Sequence, residues 1–186
     1  MQLEKVLRGI RKKDRRAQQM LYDHYAPIFM GIAMRYLTNL VEAEDALAEA
    51  FIKIFTRIHT FEDKGSFEGW MKRIVINECL MILRQKRSQQ LYLTLDDVDV
   101  EIEPEVIGRL TAEELMEAIQ ELPDGYRTVF NLYEIEGFKH REIAEKLDVS
   151  IHTSKSQLIM AKRKLREILK KNLIINNYES EGHMAG

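Results

Sequence analysis

FKHREIAEKLDVSIHTSKSQLIMAKRKLREILKK, residues 138–171, holds two helical patterns separated by one tight turn, together with most of the positive charge of the C-terminal half. Ile143, Ala144 and Leu147 recur at helical spacing, Asp148 and Val149 interrupt them, and Ser150 stands where an N-cap would open a second helix. Ile151, Leu158, Ala161, Leu165 and Ile168 or Leu169 then keep one side of that second helix apolar, while Lys155, Lys162, Arg163, Arg166 and Lys170 ride on the rest. The pattern reads as a helix-turn-helix. A helix held by a buried stripe can offer its N-terminal residues to base edges in a major groove and its cations to phosphates. A basic amphipathic helix after a short helix and a turn also occurs in bundles with no nucleic-acid role, so the motif alone leaves that choice open. Such a turn often needs a residue at positive φ, which Asp148 tolerates better than most side chains though less freely than Gly.

A chain of 186 residues is long enough for one ordinary domain or two small ones, and 45% hydrophobic with 31% charged residues is a globular composition. The net charge of -2 is a sum over unlike segments. Residues 1–90 hold 16 Lys and Arg against 11 Asp and Glu, residues 91–125 hold 1 against 11, and residues 126–171 hold 11 against 6. Two basic blocks flanking an acidic bridge suit a protein that touches polyanions at both ends. Cys79 is the single cysteine, which rules out an internal disulfide and fits the reducing cytoplasm; among Ile76, Leu80 and Ile82 it reads as a buried, inert thiol. The N-terminus is charged from Glu4 onward without an apolar signal core, and no uncharged run approaches the ~20 residues of a spanning helix, so no membrane insertion is expected. The five histidines show neither HExxH nor paired ligand spacing, and no Gly-rich loop could cradle a phosphate. No catalytic residue, metal or cofactor is therefore expected, and the chain does not read as an enzyme.

With three prolines, nine glycines and no alternating run, the expected class is all-α: two small helical domains, residues 1–90 and 111–172, joined by a flexible acidic linker, residues 91–110, with a tail from 173 to 186. From Arg15 to Leu37, Met20, Leu21, Tyr25, Ile28, Phe29, Ile32 and Tyr36 mark one helical pattern that Pro27 should bend or divide. Asn39 with Glu42 then reads as an N-cap pair opening a helix to Ile58. Its apolar stripe is Ala43, Leu47, Ala50, Phe51, Ile54, Phe55 and Ile58, and Glu42, Asp45 and Glu49 line the opposite side. That acidic row is either a solvated face or a docking surface for a basic partner. A loop from Thr60 to Gly65 leads into a helix from Phe67 to Arg87, where Phe61, Lys64, Phe67, Trp70, Lys72 and Arg73 interleave rings and cations. Unpaired bases stack on such platforms, although Trp70 beside Met71 and Ile74 could equally be core, and Asn77 could bond a base edge or meet solvent. Beyond the linker, which contains Pro104, Thr111 and Glu114 spell a capping box for a helix with Leu115, Ile119 and Leu122 inside. Pro123 ends it, Asp124 is expected to cap another that carries Val129, Phe130, Leu132 and Tyr133 to Gly137, and these two brace the helix-turn-helix into a four-helix unit.

Four blocks in this order, EAEDALAEAFIKIF (42–55), SFEGWMKRIVIN (66–77), ELPDGYRTVFNLYEIEGF (121–138) and EIAEKLDVSIHTSKSQL (142–158), resemble the bacterial sigma factors of RNA polymerase, in particular the extracytoplasmic-function (ECF) type of the sigma-70 family. The resemblance implies a cytoplasmic transcription initiation factor that binds core RNA polymerase, directs it to specific promoters and nucleates promoter melting. It implies that Glu42, Asp45 and Glu49 grip the polymerase, that Phe61, Lys64, Phe67, Trp70, Arg73 and Asn77 capture a flipped base and hold the opened strand, and that the acidic linker threads polymerase channels. In the second domain it implies that His152, Thr153, Lys155, Ser156 and Gln157 read the upstream promoter element, with Lys162, Arg163 and Arg166 on phosphates. The family commonly shows Gly-Thr-Val-Lys-Ser-Arg and then Arg-Ala-Arg. This chain has His152-Thr153-Ser154-Lys155-Ser156-Gln157 and then Met160-Ala161-Lys162, so base preference does not carry over. Promoter DNA, duplex and melted, and core polymerase are the implied partners, with an anti-sigma factor as a further candidate. The alternative is a stand-alone helix-turn-helix regulator binding operator DNA, which usually dimerises; neither a heptad seam nor a ligand or receiver domain is visible for it.

Overall fold

A computed structural model describes residues 3–61, 65–89 and 111–182, and every regular element among them is helical. Lys64 and the acidic linker of residues 91–110 lie outside the described residues. The chain divides into two compact units, Met1–Leu91 and Tyr92–Gly186.

The first unit contains α1 (Leu3–Arg11), α2 (Arg15–Tyr36), α3 (Leu40–Arg57), a 3-10 turn (Ile58–Thr60) and α4 (Phe67–Gln89). Its core is where α2, α3 and α4 meet: Leu21, Phe29, Ala33 and Tyr36 from the first, Ala43, Ala50 and Ile54 from the second, Met71, Val75, Cys79 and Leu80 from the third. Each large apolar side chain so buried contributes roughly 1.5–3 kcal/mol. Pro27, expected to bend or divide this helix, does not divide it: α2 runs through the proline as one helix. Tyr25 and Phe29, stacked 5.4 Å apart, are buried on either side of the proline, so packing against neighbouring helices keeps the helix continuous despite the missing N–H. Sequence reading gave α1 no helix. It buries Val6, Leu7 and Ile10, and Gly9 lets it lie so close to α2 that a Cβ there would fall 2.6 Å from the Ala17 Cβ. Lys13, at φ 59°, turns the chain, and Asp14 caps α2 by accepting from the Arg16 N–H at 2.9 Å.

The second unit contains α5 (Ala112–Gln120), α6 (Asp124–Phe130) with a wider π turn (Asn131–Ile135) at its end, α7 (His140–Leu147) and α8 (Ile151–Gly182). Thr111 and Glu114 form the expected capping box of α5. Ala118, Ile119 and Leu122 close on Ala161, Leu165, Ile168 and Leu169 of α8 to make the core. Asp124 does not cap α6, since Pro123 occupies the N-cap position. The Asp124 carboxylate instead accepts from Arg127 Nη2 at 2.5 Å, and Arg127, 2% exposed, donates through Nη1 to the Leu122 and Gln120 carbonyls. A guanidinium thus closes the C-terminal end of α5, where both orphan carbonyls and the helix dipole favour a cation. The tail expected from residue 173 begins with more helix, for α8 continues to Gly182 through a stretch without proline or earlier glycine.

Candidate nucleic-acid interface

In the second unit the turn has the geometry its residues dictate. Asp148 sits at φ 53°, ψ 54°, the Val149 N–H reaches back to the Ala144 carbonyl at 3.1 Å, and Ser150 Oγ accepts from the Thr153 N–H at 2.9 Å. The buried stripe of α8 is not quite the expected one. Ile151 stands 46% exposed at the helix start, and Ser154, wholly buried, takes the first inward position. Ser154 Oγ lies 3.0 Å from His140 Nδ1, and the His140 ring stacks on Tyr133 at 4.5 Å. One imidazole thereby ties the π turn, α7 and α8 together. Burial first, and then Lys155 and Lys162, lower the His140 pKa, which favours the neutral ring that can share a hydroxyl proton.

Along α8, His152 and Lys155 are exposed, and Thr153, Ser156 and Gln157 are half-buried. Ser156 Oγ donates to the Thr153 carbonyl at 3.1 Å, and Gln157 lies against Gly125, whose missing Cβ would come within 3.3 Å of Nε2. The cations further along are less free than their sequence suggests. Lys162 pairs with Glu134 at 2.6 Å, Arg163 reaches Glu167 at 3.4 Å, and Arg166 is half-buried. Lys164, hydrogen-bonded to Glu167 at 3.2 Å, is the main cause of that carboxylate's lowered pKa.

In the first unit Asp45 and Glu49 stand exposed on α3, with Val41 and Ile52, also exposed, at helical spacing to them. Glu42 differs from its two neighbours in the row. Asn39 caps α3 alone, accepting from the Val41 and Glu42 N–H groups, while the Glu42 carboxylate takes Lys86 Nζ of α4 at 2.5 Å. A second cross-helix pair, Lys53 with the buried Glu78 at 2.5 Å, joins the same two helices. Gly65, at φ 88°, turns the chain back into α4, where Phe61, Phe67 and Trp70 form one aromatic cluster with centroids 5.1–5.8 Å apart. Phe61 and Phe67 are buried, which corrects the picture of three open platforms. Trp70, half-buried and stacked on Phe67, is the one residue of the three that keeps solvent exposure. Arg73 and Asn77, exposed, follow it at three- and seven-residue steps on the same side of α4. No local signal in the sequence pointed to Ser154 with His140, to Arg127 as a helix brace, or to the two α3–α4 ion pairs, because each joins residues from different elements or depends on a turn no pattern spells out.

These features define a two-domain helical DNA-binding protein: a helix-turn-helix unit, and a separate unit with an acidic face and an aromatic-basic face. Two family descriptions match it in the same order, Sigma-70 region 2 over residues 21–89 and Sigma-70, region 4 over residues 112–165. The RNA polymerase sigma-H factor of Pseudomonas aeruginosa is 28% identical, with 90% of this chain aligned to 91% of that protein. The ECF RNA polymerase sigma factor SigW of Bacillus subtilis is likewise 28% identical, covering 91% of this chain and 98% of the relative. The sigma factor RpoE of Bartonella quintana, solved with the anti-sigma factor NepR, shares the fold at 22% identity and a TM-score of 0.50, over 82% of this chain and 96% of that one. The chain belongs to the sigma-70 family of RNA polymerase sigma factors, in its ECF branch. It is a promoter-specific transcription initiation factor and not an enzyme, which sets aside the stand-alone regulator. Among the described residues no helix is long and apolar enough to cross a membrane.

Proposed function

We propose a division of promoter recognition between the two units of this cytoplasmic factor. Asp45 and Glu49, with the apolar Val41 and Ile52 on the same helix, dock on core RNA polymerase, while Glu42 acts inward as a strut to Lys86. Trp70, backed by the buried Phe67 and Phe61, stacks a base of the melted strand, with Lys64, Arg73 and Asn77 on the neighbouring backbone and base edges. His152 and Lys155 lead the contact of α8 with duplex, and Thr153, Ser156 and Gln157 shape its edge. Lys162, Arg163 and Arg166 add phosphate attraction in proportion to how far DNA draws them from Glu134 and Glu167. The acidic linker is assigned to the polymerase channels, and an anti-sigma protein, the class that holds the Bartonella relative, is a candidate antagonist.

The observation that carries this reading is the half-buried Trp70, packed on two buried rings and continued by the exposed Arg73 and Asn77. Stacking is worth ~1–3 kcal/mol per base, so Trp70→Ala should lower promoter opening on the order of tenfold or more. Permanganate reactivity of promoter thymines with the reconstituted holoenzyme measures it. Unchanged opening would remove Trp70 from the strand.

A further inference from the structure

The matched sigma region begins at residue 21, and the twenty residues before it carry a charge pattern that no role assigned so far uses. Seven of the twelve residues from 5 to 16 are Lys or Arg, and one, Asp14, is acidic. Lys5, Arg8, Lys12, Lys13, Arg15 and Arg16 are all exposed. The structure gathers them by folding α1 back on α2: Gly9 permits the close approach, Lys13 makes the turn, and one oxygen of Asp14 is committed to the Arg16 N–H. Like charges so crowded cost self-repulsion that an unliganded fold gains nothing from, and a polyanion relieves it.

Three chemistries could answer this corner: lipid headgroups, an acidic protein surface, or a nucleic-acid backbone. A membrane-surface helix needs a free apolar side, and that of α1 is consumed, with Val6, Leu7 and Ile10 buried. Position favours nucleic acid over an acidic protein. Within the same unit α1 packs against the Ile58–Thr60 turn, and that turn leads directly into Phe61 of the aromatic cluster. A phosphate chain leaving a base on Trp70 therefore has cations to follow. We propose that the α1–α2 corner is a second DNA-contacting surface of this sigma factor, holding the phosphate backbone that flanks the opened segment. The inference rests on the strand role of Trp70 for its direction and on the corner's own charge for its affinity.

The test uses the reconstituted holoenzyme and a fluorescent duplex carrying a promoter mapped by run-off transcription on the source genome. The variant joins Arg8→Gln, Lys12→Gln, Arg15→Gln and Arg16→Gln. Each phosphate contact adds ~0.9 to the slope of log affinity against log salt, so loss of two or three contacts should lower the slope by about 2–3 and weaken binding at least about tenfold at 0.15 M salt. Affinity for core polymerase should stay as in the wild type, and Arg8→Lys with Arg15→Lys and Arg16→Lys should retain the slope. An unchanged slope in the Gln variant overturns the proposal. So does a loss of core-polymerase affinity that accounts for the whole effect, which would assign the corner to an acidic protein surface. A wild-type holoenzyme that forms no promoter complex overturns the underlying strand reading as well, whereas normal opening with an unchanged slope removes only the corner.

Discussion

Arg127 and His140 are the two side chains on which the second domain turns. Arg127 is buried and bonded to Asp124 and to two carbonyls at the end of α5, so Arg127→Met should cost about 2–3 kcal/mol by urea unfolding; a shift under about 0.5 kcal/mol would show that the brace is idle. His140 has a lowered pKa in the folded chain, so as pH falls below its ordinary 6.5 the unfolded chain takes the proton first. The stability His140 contributes is therefore fully present above that value and is lost as pH descends through the folded pKa. The urea midpoint of the second domain should drop between pH 7.5 and 5.5, and His140→Gln should flatten that dependence; an equally steep profile in the variant would point to another group. Burial pushes the Cys79 thiol up to about 12, so it should react with a thiol reagent at pH 8 only on unfolding. What was legible at this scale was local: Asp148 in the turn, Ser150 and Thr111 as caps. The His140–Ser154 bond spans fourteen positions and two helices, and no period in the sequence announces it.

At the scale of elements, α3 and α4 form a paired unit whose outer faces differ and whose inner face carries two ion pairs. Glu78 is buried and Lys53 is its partner, so Lys53→Met should destabilise the first domain by about 3 kcal/mol by leaving a carboxylate stranded. Replacing Glu78 by Leu in the same chain should recover most of that loss, and a double-mutant cycle with no coupling would deny the pair any role. The exposed side of α3 behaves separately. Asp45→Lys with Glu49→Lys should weaken association with core polymerase on the order of tenfold, chiefly through the on-rate, with unfolding unchanged. Full retention in a pull-down would detach that face from the polymerase. The amphipathic periods of α3, α5 and α8 were plain in the sequence, since each has a one-sided apolar stripe, whereas α4 was read from its interleaved rings and cations. The continuity of α2 through Pro27 was not, because tertiary contact on both sides outweighs a local rule, and α1 was overlooked although Leu3, Val6, Leu7 and Ile10 keep helical spacing, because it is only nine residues long and sits in a strongly basic segment.

Over the whole molecule, a net charge of -2 hides two basic blocks and an acidic bridge; the first basic block makes up the first unit and the second lies within the second unit, whose acidic N-terminal part outweighs it in charge. The family could be read from the order of four motif blocks, whereas the division between exposed cations and those already paired, such as Lys155 against Lys162, required coordinates. Lys155→Ala should accordingly reduce upstream-element binding several-fold and lower the salt slope by about 1, more than Lys162→Ala does. The measurement that bears most directly on the account is transcription from fragments of the source genome by core RNA polymerase with and without this chain. Discrete promoter-specific transcripts that need the chain, and that fall on the order of tenfold with Trp70→Ala, are expected; transcripts no different from those of core polymerase alone would show that the chain does not initiate transcription.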